Sequence, residues 1–232
     1  MLADLDSLEK RVVALEKRVR GADKEAKETL DLVERSLTLL REGKPARLVE
    51  RKPEEEKSFR MLGLLTSKPV LYVCNVDESA ADKGNADSAL VFARAAEEGA
   101  KAVVVSAKIE SEIAVLPPGE QAEYLTAVGL AEPGLNRVIR AGYELLGLVT
   151  FFTAGPKEAR AWTVTAGSKA PQAAGAIHTD FEKGFIRAET IAYADYVALN
   201  GEAGARDAGK LRLEGKDYVV ADGDVMHFRF NT

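Results

Sequence analysis

The chain has 232 residues, 46% hydrophobic and 30% charged, the ordinary balance of a globular protein with room for two or three compact units. Its 32 basic and 37 acidic residues leave a net charge of −5, which excludes a global basic field and confines any nucleic-acid contact to a local patch. The single cysteine, Cys74, excludes a disulfide framework, and no apolar run approaches the roughly 18 residues of a membrane span; a reducing, cytoplasmic setting with no membrane partner is expected.

Residues 2–42 carry an apolar stripe at spacings of three and four: Leu5, Leu8, Val12, Leu15 and Val19, then Leu30, Val33, Leu37 and Leu40. That period predicts two helices folded into an antiparallel, coiled-coil-like hairpin. Gly21 is expected at the left-handed position that ends the first helix, and Asp23 at the N-cap of the second. Lys17, Arg18, Arg20 and Lys24 gather at the tip, where they form either a plain charged surface or an RNA or ribosome contact. After a polar linker, Gly43–Lys52, a short helix is expected to begin at Pro53 and end near Leu65.

Val70 to Cys74 form a nearly continuous apolar run, the pattern of a parallel strand buried on both faces. A helix is predicted over 86–98 with Gly99 as its C-cap, then a second strand over 101–105. Cys74, inside the first strand, suits a small buried core residue better than a reactive thiol. The first strand ends in Asn75-Val76-Asp77-Glu78 and the second in Ser106-Ala107-Lys108. In open α/β sheets, ligands bind beyond the carboxyl ends of the strands. An Asn-x-x-acid tail followed by Ser-Ala-Lys is how P-loop GTPases hold the base. In the guanine-specific Asn-Lys-x-Asp pattern the carboxylate accepts from two neighbouring guanine N–H groups. Here Val76 replaces the lysine and Glu78 the aspartate, and the longer side chain moves the carboxylate out of register with those donors. Adenine offers one donor and one acceptor, so backbone groups near Val76 and Ser106–Lys108 would have to complete its recognition. From spacing alone, a nucleotide site and a plain sheet edge both remain open.

Residues 119–146 alternate helical stretches with turns. From Leu148 the texture changes to short β-rich runs at 148–152, 161–165, 185–188, 192–198 and 218–230, with one helical stretch around 172–180. A small α+β domain of β-grasp type is expected, beginning at about residue 148, with Trp162, Phe181 and Phe185 in its core. His178, beside Asp180, suits capping or packing better than general-base work, and His227 is expected at the surface. Two lone histidines make no metal site. Lys183, Arg187 and Lys210 are candidates for an RNA-facing patch, against an ordinary charged surface.

The stretches Gly134-Leu-Asn-Arg-Val-Ile-Arg-Ala-Gly-Tyr-Glu-Leu-Leu-Gly-Leu148, Thr150-Phe-Phe-Thr-Ala-Gly155 and Ala170-Pro-Gln-Ala-Ala-Gly-Ala-Ile-His-Thr-Asp-Phe-Glu-Lys-Gly-Phe-Ile-Arg-Ala-Glu189 closely resemble the YchF, or Obg-like ATPase, family. The resemblance implies an α/β P-loop NTPase domain, present in part, with a Ras-like parallel sheet. It also implies an inserted antiparallel helical hairpin and a carboxyl-terminal TGS domain of α+β, β-grasp fold. The corresponding divisions are 1–52, 53–147 and 148–232. The family's Asn-x-x-Glu base motif falls on Asn75–Glu78, so Asn75, Val76, Glu78, Ser106, Ala107 and Lys108 become the implied base-binding residues. The family binds ATP in preference to GTP, hydrolyses it slowly and associates with ribosomes. No Gly-x-x-x-x-Gly-Lys-Ser/Thr loop occurs in these 232 residues. The chain alone is therefore expected to bind nucleotide poorly, to lack catalytic residues and Mg²⁺ ligands, and to hydrolyse nothing without an amino-terminal half. An exposed sheet edge is expected to pair with that half or with a second copy. The alternative is a non-enzymatic adaptor that binds ribosome or RNA through hairpin and TGS domain.

Overall fold

The computed structural model describes residues 1–231, which fall into two units, Met1–Arg137 and Val138–Thr232. In the first, α1 (Leu2–Arg20) and α2 (Lys24–Arg41) bury the predicted stripe, with Leu8, Leu15, Leu32, Val33, Leu37 and Leu40 at its centre. They run antiparallel, so that Arg41 at the end of α2 meets Glu9 near the start of α1 at 2.9 Å. Asp23 caps α2 as expected, its Oδ1 accepting from Ala26 N at 3.0 Å. Gly21, however, has φ −84°, and the left-handed residue is Ala22 at φ 63°. Asp23 also holds Arg18, so the chain must complete its reversal at Ala22, at a cost of about 1 kcal/mol for a residue with a Cβ.

The hairpin is rooted by a buried carboxylate. Asp4, 3% exposed, accepts from Leu65 N (2.9 Å), Thr66 N (2.8 Å) and Thr66 Oγ1 (2.7 Å), joining α1 to a 3-10 turn at Leu65–Ser67. Burial works against its ionised form, but the Thr66 hydroxyl and the two amides outweigh it and hold its pKa below the ordinary aspartate value. A group whose folded pKa is lowered stabilises the fold above its unfolded value and loses that contribution as pH falls through the folded one. Asp4→Asn should therefore lower stability at neutral pH, with the gap to wild type closing as the pH is taken below about 4. Helix melting by circular dichroism at several pH values measures this; a constant gap would contradict it.

The linker helix α3 (Glu56–Met61) follows a 3-10 turn over Pro53–Glu55 and stops earlier than Leu65, because Gly63 takes φ 66°. Strand β1 (Leu71–Asn75), helix α4 (Ala86–Glu97) and strand β2 (Lys101–Val105) form the expected β-α-β unit. The strands are parallel, with Leu71 opposite Lys101 and Asn75 opposite Val105. β1 is not buried on both faces: Val73 is 49% exposed, since among the described residues this sheet has two strands. Asn85 and Ser88 cap α4 reciprocally, at 2.8 and 2.9 Å. Three more helices follow: α5 (Ala107–Ile113), α6 (Pro118–Ala127) and α7 (Gly134–Leu146). Ile109, Ile113, Leu125 and Leu130 close around Ala81 as a second small core.

The second unit is a five-stranded mixed sheet in the order β4-β3-β7-β5-β6. A hairpin of β3 (Leu148–Ala154) and β4 (Ala159–Thr165) leads to α8 (Ala170–Ile177) and α9 (Thr179–Lys183). Then come β5 (Phe185–Ala192), α10 (Tyr193–Ala198), α11 (Glu202–Asp207), β6 (Arg212–Glu214) and β7 (Asp224–Phe230). β7 inserts between β3 and β5, parallel to β3, the β-grasp arrangement. Phe151, Phe185, Met226 and Phe228 pack on the alanines of α8, and Trp162 and Phe181 border them half-buried. Three expectations fail here, the first being the single helical stretch: residues 148–231 hold four helices, α8 to α11. Residues 193–198 are helical, because Tyr193, Tyr196 and Val197 suit one helical turn as well as a strand; residues 218–223 precede β7, which begins at Asp224, and pair through an isolated antiparallel bridge from Val219 to Lys169.

Candidate functional site

The two strand ends are tied together by the residue at which β1 stops. Asn75 Oδ1 accepts from Ala107 N at 2.9 Å, and Val76 N donates to Val105 O at 2.9 Å, carrying the ladder one step beyond the strand. Ser106 precedes α5 and is 2% exposed, and its Oγ has no hydrogen-bond partner among the described residues. Ala107 and Lys108 form the first turn of α5 rather than the strand tail expected from the sequence. On the facing side, Glu78 opens a 3-10 turn (Glu78–Ala80), and its carboxylate is engaged by Lys108 Nζ. That hydrogen bond and the carboxylate's charge raise the lysine pKa. The loop back to α4 closes at Gly84, at φ 80°, where a Cβ would collide with Ser88 Oγ.

Two residues not singled out from the sequence support this rim. Tyr124 on α6 donates to Glu112 on α5, and its pKa is pushed up to about 12 by that hydrogen bond, by burial and by the charges of Glu112 and Glu78. Glu110 caps α7 through Gly134 N (2.7 Å) and Leu135 N (3.1 Å). Nothing in the local pattern marks either contact, since both join separate helices. Asn75, Ser106, Ala107, Glu78 and Lys108 are thus brought to one rim, with Val76 half-buried between them.

The other sequence candidates lie apart from that rim. Lys17, Arg20 and Lys24 are exposed at the hairpin tip, whereas Arg18 is committed to Asp23 by bonds of 2.7 and 3.0 Å. Lys183 ends α9 and Arg187 lies exposed on β5 opposite Arg229, while Lys210 approaches Asp195 at 3.7 Å. His178 acts as a cap, its Nδ1 accepting from Asp180 N at 3.2 Å. Among the described residues no cluster of histidine, cysteine and carboxylates has the makings of a metal site. No helix among them is long and apolar enough to cross a membrane.

A parallel β-α-β unit ending in Asn-x-x-Glu and Ser-Ala-Lys, together with a helical hairpin and a β-grasp sheet, defines part of a P-loop NTPase fold with a carboxyl-terminal β-grasp domain. The family model YchF-GTPase_C, described as "Protein of unknown function (DUF933)", matches residues 148–231. The "Ribosome-binding ATPase YchF" of Haemophilus influenzae is 56% identical over 230 residues, 99% of this chain and 63% of that relative. Its namesake in Bacillus subtilis is 52% identical over 233 residues, 100% of this chain and 64% of that relative. The solved Schizosaccharomyces pombe YchF GTPase superposes with a TM-score of 0.85 at 32% identity, over 98% of this chain and 62% of that one. Over essentially its whole length the chain is similar to these YchF proteins, and it spans 63–64% of the length of the curated relatives.

Proposed function

We propose that this chain carries the base-reading side of an adenine-nucleotide site and works on the ribosome as part of a YchF-type ATPase. Ribosome binding and ATP hydrolysis are named for its relatives, which supports the reading. The observation that carries the nucleotide half is the Asn75–Ala107 hydrogen bond, which fixes the two tails at one rim. In this reading Asn75 orders the rim and Val76 packs against the purine. Glu78 faces the base edge once Lys108 swings aside, and Ser106 supplies a buried hydroxyl with unused bonding capacity. ATP is preferred over GTP because the glutamate no longer matches guanine's paired donors.

Phosphate cradling supplies most of the affinity for a triphosphate. No Gly-x-x-x-x-Gly-Lys-Ser/Thr loop occurs in these 232 residues, so in this reading hydrolysis and Mg²⁺ binding require an amino-terminal segment that supplies one. An amino-terminal NTPase segment would dock on the open edge of β1–β2, where Val73 is exposed; self-association through that edge is the competing use. Residues 1–52 then serve as the hairpin, 53–147 as the NTPase part and 148–232 as the TGS domain, in a cytoplasmic protein. The exposed Lys17, Arg20 and Lys24 favour a second reading, an adaptor that binds ribosome or RNA without nucleotide. Co-sedimentation with ribosomes, with and without an added amino-terminal segment, separates the two. Pelleting that responds to ATP only when that segment is present supports the first; pelleting indifferent to nucleotide supports the adaptor.

A further inference from the structure

At the amino-terminal ends of the same two strands lies a cleft of about 480 Å³ whose chemistry is unlike the rest of this acidic chain. Arg47, Arg51, Arg60 and Lys68 line it, with Glu56 as its only carboxylate and Ser67 beside them. Its wall is completed by the residues that lead into β1 and β2, among them Val70 and Gly99.

The cations are held in place rather than neutralised. Glu56 takes Arg51 Nε at 2.6 Å and Arg60 Nε at 2.9 Å, so one carboxylate serves two guanidiniums. Arg51 is fixed further by Val49 O at 3.1 Å and by lying 4.3 Å over the Phe59 ring. Arg47 is bound to Glu98 at 2.6 Å, and its buried Nε has no hydrogen-bond partner among the described residues. Lys68 is exposed, and no hydrogen bond or ion pair engages its ammonium among them. Two carboxylates, Glu56 and Glu98, thus answer four cations. A cluster of like charge held rigid in a concave site is favourable when an anion completes it, and guanidinium forks match phosphate oxygens in particular.

We propose that this cleft is a binding site for a phosphate-bearing ligand. Arg51 and Arg47 form its ordered floor, and Arg60 and Lys68, both exposed, form its mouth. The site is separate from the base rim: the five residues of β1, at about 3.3 Å each, put the two roughly 16 Å apart. It does not depend on the nucleotide reading. Its volume exceeds that of a lone phosphate and falls in the range of small-molecule sites. The same chemistry suits a compact phosphorylated molecule or the phosphodiester backbone of a single RNA strand.

Fluorescence anisotropy of the full chain with a short fluorescein-labelled oligouridylate tests this, with inorganic pyrophosphate as competitor. The double variant Arg60→Glu/Lys68→Glu is compared with Lys17→Glu/Lys24→Glu at the hairpin tip. All four side chains are exposed, so folding is expected to survive, and far-UV circular dichroism checks it. The cleft variant should weaken binding about tenfold or more and flatten the log–log salt dependence by about 1.4, at roughly 0.7 per lost single-strand phosphate contact. The tip variant should change neither. Displacement by pyrophosphate assigns the cleft to compact phosphates, and resistance to it assigns the cleft to a strand; both support the site. Absence of binding by wild type, or a loss that follows the tip variant and spares the cleft variant, overturns it.

Discussion

Glu98→Ala is expected to cost the first unit about 3–5 kcal/mol, seen as a lowered urea midpoint of the helical signal. Glu98 ends α4 and takes three donors at once: Arg47 Nη2 (2.6 Å), Tyr72 OH (2.9 Å) and Arg94 Nε (2.6 Å). Glu98 and Arg47 are only 12% and 16% exposed. Those bonds, the Tyr72 hydroxyl first, keep the carboxylate ionised and its pKa low. The cost comes less from the lost attraction than from stranding the Arg47 guanidinium, buried and already short of a partner at Nε. Glu98→Leu combined with Arg47→Leu should therefore be much milder than Glu98→Ala alone. An equal loss in both would mean that packing, not the stranded charge, sets the effect. The contact matters for function because Arg47 lies at the hairpin root and Tyr72 on β1. The hairpin is thus bolted to the strand that ends in Asn75.

Phe151→Ala should cost the second unit about 4 kcal/mol, the usual range for emptying an aromatic site in a core. Phe151 is fully buried on β3, meets Phe228 edge-on at 5.8 Å, and packs among the small residues of α8. Alanines at Ala170, Ala173 and Ala174 let the helix approach the sheet closely, so little nearby can collapse into the void. Trp162 is the chain's one tryptophan and lies in this unit, where Thr153 Oγ1 accepts from its Nε1 at 2.9 Å. Its fluorescence transition reads the loss directly. Against a typical domain stability of about 5–15 kcal/mol, the variant should sit near its unfolding threshold. A shift of less than about 1 kcal/mol would show the core there to be soft.

Elements that repeat with a strong period were legible in the sequence. The leucine stripe placed α1 and α2, and Lys101–Val105 was read to the residue as a strand. What escaped has no local signature. α5 begins at Ala107 because Ile109 and Ile113 find their core in α6 and the Leu130 turn, which a reading of Ser-Ala-Lys as a strand tail does not reveal. β6 has three residues and exists only through its pairing with β5. The left-handed residue moved from Gly21 to Ala22 because Asp23 constrains the turn from its far side. The rim itself was half visible: its residue types were plain at two strand ends, but the Asn75–Ala107 bond and the Lys108–Glu78 pair are tertiary facts. So is the Asp4–Thr66 clamp, which spans more than sixty residues.

The most direct test of the base-reading claim is an amide-resolved NMR titration of ¹⁵N-labelled chain with ATP and, separately, with GTP, a method that detects even weak binding. Shifts confined to residues 75–78 and 106–108, larger for ATP than for GTP and abolished by Asn75→Ala, are the expected result. Shifts that avoid both strand ends, or equal responses to the two nucleotides at saturating concentration, would contradict it.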